Sequence, residues 1–132
     1  MPLSRRLLLA LTAAALARAA EPAREPSPAL SPRQVVEAQL AAFRANDDPE
    51  PDAGIRVAFA FASPTNRKST GPVERFVEMV KNPLYAPLLG HRAAHLSETT
   101  ERNGMARIKV TLLDPAGAEA AFVWILALQR DG

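Results

Sequence analysis

Apolar residues recur at helical spacing through the first half of the chain and at strand spacing through the second. Ser31-Pro32 opens the first helical pattern. Ser31 is a capping residue, Pro32 suits the first helical position and Gln34 stands three residues after the cap, which together make a capping box. Val36, Leu40 and Phe43 form the apolar stripe, with Val35 and Gln39 beside it and Arg33 and Glu37 on the wet side. The spacing predicts a helix to about Arg44 or Ala45. A second pattern, Ile55, Ala58, Phe59 and Ala62, follows Asp52 as its expected N-cap and is stopped by Ser63-Pro64. A third, Val73, Phe76, Val77 and Val80, begins at Pro72 and ends at Asn82-Pro83. The polar stretch between the last two is expected to be a turn. Phe59 and Phe76 are the expected core anchors, and Leu84, Tyr85, Leu88 and Leu89 are expected to tuck inward from a compact proline-bounded turn.

The period then changes to two. His91 to Leu96 is one predicted strand. Glu101 to Leu113 is a second, with Asn103-Gly104 as a turn near its start and Ala106, Ile108, Val110 and Leu112 alternating with Met105, Arg107, Lys109 and Thr111. Asp114 to Gly117 is a tight turn. Ala118 to Arg130 is a third strand, so apolar around Phe122 to Leu126 that cover on both faces is expected. Helices first and strands afterwards predict an α+β fold with an antiparallel sheet.

Residues 1–19 precede this domain and read as an export signal. Ser4-Arg5-Arg6 is the charged start, Leu7 to Ala17 is an apolar run too short to span a bilayer, and Ala17-Arg18-Ala19 has the small-x-small pattern of a cleavage site. The pattern favours a Sec route over a twin-arginine one, and a periplasmic or secreted location. Residues 20–30, with Pro22, Pro26 and Pro28, read as an extended linker, and residues 31–132 as one domain.

Composition matters mainly through what it excludes. The chain has no cysteine, so disulfides, thiol catalysis and cysteine-type zinc sites are ruled out. The formal charge of +2 includes Arg5, Arg6 and Arg18. Without them 13 basic residues face 14 acidic ones, and no nucleic-acid footprint is evident. No membrane association is expected once the signal is removed.

The run AFAFASPTNRKSTGP at 58–72 and YAPLLGHR at 85–92 resemble an uncharacterised family of small bacterial and plant domains with the patterns AFxFASPxNRxxTGP and YAPLLxHR. The likeness spans about residues 31–130. The order of elements is similar to the cone-shaped fold of nuclear transport factor 2 and ketosteroid isomerase, which implies a curved sheet wrapped on the helices. Members of that family usually continue into a closing strand, whereas this sequence stops at Asp131-Gly132, so either the chain is truncated or the sheet is expected to be one strand short. The family implies no activity.

Three groups of residues are candidates for chemistry. Tyr85, His91, Arg92 and Trp124 are expected to line the mouth of the cone and bind a ligand. Asn66, Arg67 and Thr70 gather near a helix start and could hold an anion, although local capping explains the same residues. The acidic run Asn46 to Asp52 lacks the glycine and closing glutamate of a calcium loop and reads as helix capping. His91 and His95, on a strand, would be about 13 Å apart, so no metal site is expected. No cofactor is implied and no catalytic residue is assigned. Isomerase chemistry needs a carboxylate in an apolar pocket, and the strands offer Glu119, at a strand start, and few other acids. The reading is a domain that binds a small apolar ligand or a protein partner. The alternatives are a small isomerase- or hydrolase-like enzyme and a dimer-forming module with its open sheet face as the interface. The last strand is also expected to be an exposed edge, through which the protein dimerises or is poorly soluble as a monomer.

Overall fold

The computed structural model describes residue 23 and residues 25–127. The expected signal, most of the linker's start and the last residues of the third strand lie outside the described residues. Among the described residues four α-helices come first: α1 (Pro32–Arg44), α2 (Ala53–Ala60), α3 (Pro64–Thr70) and α4 (Val73–Lys81). A single 3-10 turn (Ala86–Leu88) leads to β1 (Ala93–Leu96), β2 (Thr100–Arg102), β3 (Met105–Leu113) and β4 (Glu119–Ala127). The class is α+β, and the sheet is antiparallel and open.

The first helix forms as its residues dictate. Ser31 Oγ accepts from the Gln34 N–H at 3.2 Å, and Gln34 Oε1 accepts from the Ser31 N–H at 2.8 Å. Val36, Leu40 and Phe43 are buried. Two other starts differ from expectation. The polar stretch after Ser63 is α3 rather than a turn, because Ser63 Oγ accepts from the Asn66 N–H at 3.2 Å and Pro64 takes the first position. Pro72 is the residue before α4 and not its first, a difference of one position.

β3 is the centre of the sheet. β4 pairs with it along its whole length, from Met105↔Ala127 to Leu113↔Glu119. β1 and β2 share the opposite side, β1 on Val110 to Leu113 and β2 on Met105 to Arg107. The single strand expected from Glu101 to Leu113 is thus two, folded back at Asn103-Gly104, where both residues have positive φ. This hairpin makes four strands where the sequence pattern predicts three. The second edge of β4 has no strand partner among the described residues.

Helices cover one face. Ala106, Ile108, Val110 and Leu112 turn inward and are at most 2% exposed, and the last three join one cluster with Val36, Leu40, Phe43, Ile55, Phe76 and Val80. Phe76 is buried, while Phe59 is only partly buried and packs on it with ring centroids 5.1 Å apart. The other face of the sheet is bare of cover from the described residues. β4 alternates half-buried and exposed positions, which corrects the expectation of cover on both faces. Its inward residues are Ala120, Phe122, Trp124 and Leu126, and its outward ones include Val123 and Ile125. Leu84 and Tyr85 are also exposed instead of tucked in, whereas Leu88 is buried and Leu89 partly so.

Candidate functional site

Period two places Phe122 and Trp124 on one side of β4, and the proline-bounded turn brings Tyr85 against them. Tyr85 stacks on Phe122 with centroids 6.4 Å apart, and Phe122 meets Trp124 edge-on at 6.4 Å. The three rings make a continuous aromatic row: Phe122 and Trp124 are partly buried against the helical core, and Tyr85 is exposed at the end of the row. Gln39 fixes its far end. Its Oε1 accepts from Trp124 Nε1–H at 2.8 Å, and its Nε2 donates to the Ala58 carbonyl at 3.0 Å. One side chain on α1 therefore locks β4 to α2.

Tyr85 and Trp124 are thus brought into one row, with Phe122 as the link that sequence reasoning missed. His91 and Arg92 have other partners. His91 is 4% exposed, and its Nδ1 lies 2.7 Å from the Leu88 carbonyl. A carbonyl only accepts, so Nδ1 carries the proton and closes the turn that presents Tyr85. The Arg92 guanidinium sits beside Gly117 in the β3–β4 turn. His95 is on the bare face, opposite Thr111.

Asn66, Arg67 and Thr70 all lie on the exposed helix α3. The Asn66 N–H is bound by Ser63, and the Thr70 hydroxyl donates to the Asn66 carbonyl at 2.8 Å. Those bonds are the local capping pattern.

The acidic run builds a third feature. Asn46 is buried, and its Oδ1 accepts from the Ile55 N–H at 2.8 Å while its carbonyl accepts from the Gly54 N–H at 2.8 Å. Asn46 thereby caps α2, the role expected of Asp52. Asp52 has φ 64° and makes no capping bond. Its Oδ2 instead accepts from Lys81 Nζ at 2.8 Å, and its Oδ1 accepts from Asn46 Nδ2 at 3.2 Å. The Lys81 hydrogen bond leads in holding the Asp52 carboxyl below its ordinary range, with Asn46 and the nearby Arg56 charge assisting against partial desolvation. An open cleft of about 700 Å³ lies here, lined by Arg44, Asn46, Asp48, Lys81 and Leu89 among others. A shallower groove of about 250 Å³ lies at the sheet end between His95, Thr111 and Glu119.

No group of three His, Asp or Glu side chains among the described residues is placed to hold a metal ion. No buried side-chain polar atom among them lacks a partner. Residues 28–132 match the model of the family described as a domain of unknown function, DUF4864. The chain belongs to that family. In this DUF4864 domain the two sequence runs that resemble a family pattern have distinct structural duties: residues 58–72 form the junction of α2, α3 and α4, and residues 85–92 form the turn that carries Tyr85 and His91. No curated protein and no solved structure matches the chain.

Proposed function

We propose that this is an exported, non-enzymatic binding domain whose partner is a protein supplying an extended apolar segment. That segment adds to the free edge of β4 and lays alternate side chains on the Phe122–Trp124 row. The carrying observation is the nine-residue strand β4, which has no strand partner on one side among the described residues, carries aromatic side chains beside that edge and contains one charged residue, Glu119, at its start. Backbone pairing supplies affinity in such a mode and pockets for alternate side chains supply specificity. An isomerase-like reading needs a carboxylate inside an apolar pocket, and Glu119 stands exposed.

Trp124 is the sole tryptophan, so its emission reports on the row directly. Titration with a tryptophan-free peptide of alternating valine and threonine should shift that emission saturably, and Phe122→Ala should abolish the shift. A small apolar dye such as anilinonaphthalene sulfonate serves as the comparison. Binding of the dye without the peptide would replace the protein partner by a small ligand, and binding of neither would overturn the reading.

Export rests on the three-part pattern of residues 1–19. Intact mass of the protein recovered outside the cytoplasm should correspond to a chain starting at Ala20. Retention of Met1 to Ala19 in that pool would count against it.

A second reading, self-association, is favoured by the same edge. β4 carries no lysine and no proline, the residues that ordinarily guard an edge strand.

A further inference from the structure

The bare face of the sheet combines exposed apolar residues with unneutralised cations. Val123 and Ile125 on β4 are 47% and 64% exposed, and Met105 and Leu113 on β3 are 42% and 40% exposed. Between them on β3 stand Arg107 and Lys109, directly opposite Ile125 and Val123. Arg102, opposite Met105, extends the same face. None of these three cations forms an ion pair among the described residues, where Lys81–Asp52 is the pair present. The acid that the register places on this face is Glu119, beside Leu113 at the far end of the ladder.

We infer that this face docks an acidic amphipathic helix of a partner protein. The charge on the face decides against a second copy of the chain, because face-to-face docking would set cations against cations with one glutamate from each copy to offset them. The spacing favours a helix. Arg107 and Lys109 are two strand residues apart, about 6.6 Å, and carboxylates at i and i+4 of a helix are separated by about 6 Å along its axis. Val123 and Ile125 run parallel to the cations at the same interval, so one helix can set acids over β3 and apolar residues over β4. Helices already cover the opposite face of this sheet through the alternate residues of β3. Occupation of the β4 edge leaves this surface open, so the inference stands independently of the proposed function.

The test uses the full chain labelled with 15N and a synthetic helical peptide with glutamates at i and i+4 and leucines on the adjoining stripe. The expected result is saturable amide shifts at outward residues of 105–113 and 119–127, weakened by salt. Arg107→Glu with Lys109→Glu should lower affinity about tenfold, the loss expected from two rim ion pairs turned to repulsion. These side chains are exposed, and the spectrum of the double variant checks that it is folded. A peptide with lysines in place of the glutamates should not bind. Vesicles of phosphatidylglycerol and phosphatidylcholine form the competing arm. The inference is overturned if the peptide causes no shifts, if the double variant binds it equally, or if vesicles bind through this face and the peptide does not.

Discussion

Asp52 holds three elements together through a few polar atoms. Its N–H donates to Asp47 Oδ1 at 2.9 Å, and its carboxylate accepts from Asn46 and from Lys81 on α4. The Lys81 side chain is 51% exposed and that of Asp52 21%, so water and salt screen the pair and its contribution is at most about 1 kcal/mol. The sign of its pH dependence follows from the lowered Asp52 carboxyl. A depressed folded value means that the contribution is complete above the ordinary aspartate value of about 3.9 and is lost as pH falls through the lower folded value. Lys81→Met removes the leading cause. Urea midpoints of the parent and this variant should therefore differ at pH 7 and converge at about pH 2. A gap independent of pH would show that the ion pair is not its source.

At the scale of elements, the start of α2 depends on a residue seven positions before it. Asn46 supplies both its side-chain oxygen and its carbonyl to the first N–H groups of α2, and Gly54 permits the approach, since a Cβ there would overlap the Ala42 carbonyl oxygen. Asn46→Ala would leave the buried Ile55 N–H without a partner and should cost about 1–3 kcal/mol. Thermal unfolding measures it: a fall of several degrees is expected, and an unchanged midpoint would mean that the cap contributes nothing. Asp52 had the composition of an N-cap but the wrong backbone, and a left-handed φ cannot be read from residue type. Ser63-Pro64 shows a related ambiguity. The pair that ends one helix begins the next, with the same Ser-Pro arrangement that opens α1. The β3 alternation was readable because one face is buried and the other wet. For β4 the composition hid the pattern, because Val123 and Ile125 are apolar yet face outward. Trp124 was legible as part of a site from its type alone, whereas its pairing with Gln39, 85 positions away in the chain, depends on tertiary packing.

At the scale of the whole molecule, helices shield one sheet face and β1 and β2 shield one side of β3, which leaves β4 as the long edge that no described residue pairs with as a strand. An unpaired row of N–H and C=O groups flanked by apolar side chains is a template for another strand. Phe122 to Leu126 contains neither charge nor proline, the composition of a pairing-prone window. An antiparallel copy of β4 meets no like charges within that window, so self-pairing carries no electrostatic penalty there. Light scattering across a concentration series should show a rising dimer fraction for the parent. Ile125→Lys places a cation on the exposed side of that edge, in the manner of natural guarded strands, and should return the protein to a monomer; Ile125 is 64% exposed but stands directly opposite Arg107, so the like charge should cost about 0.2–1 kcal/mol of stability. A parent that stays monomeric at high concentration and is indifferent to this lysine would remove self-pairing, leaving the edge to a different partner strand.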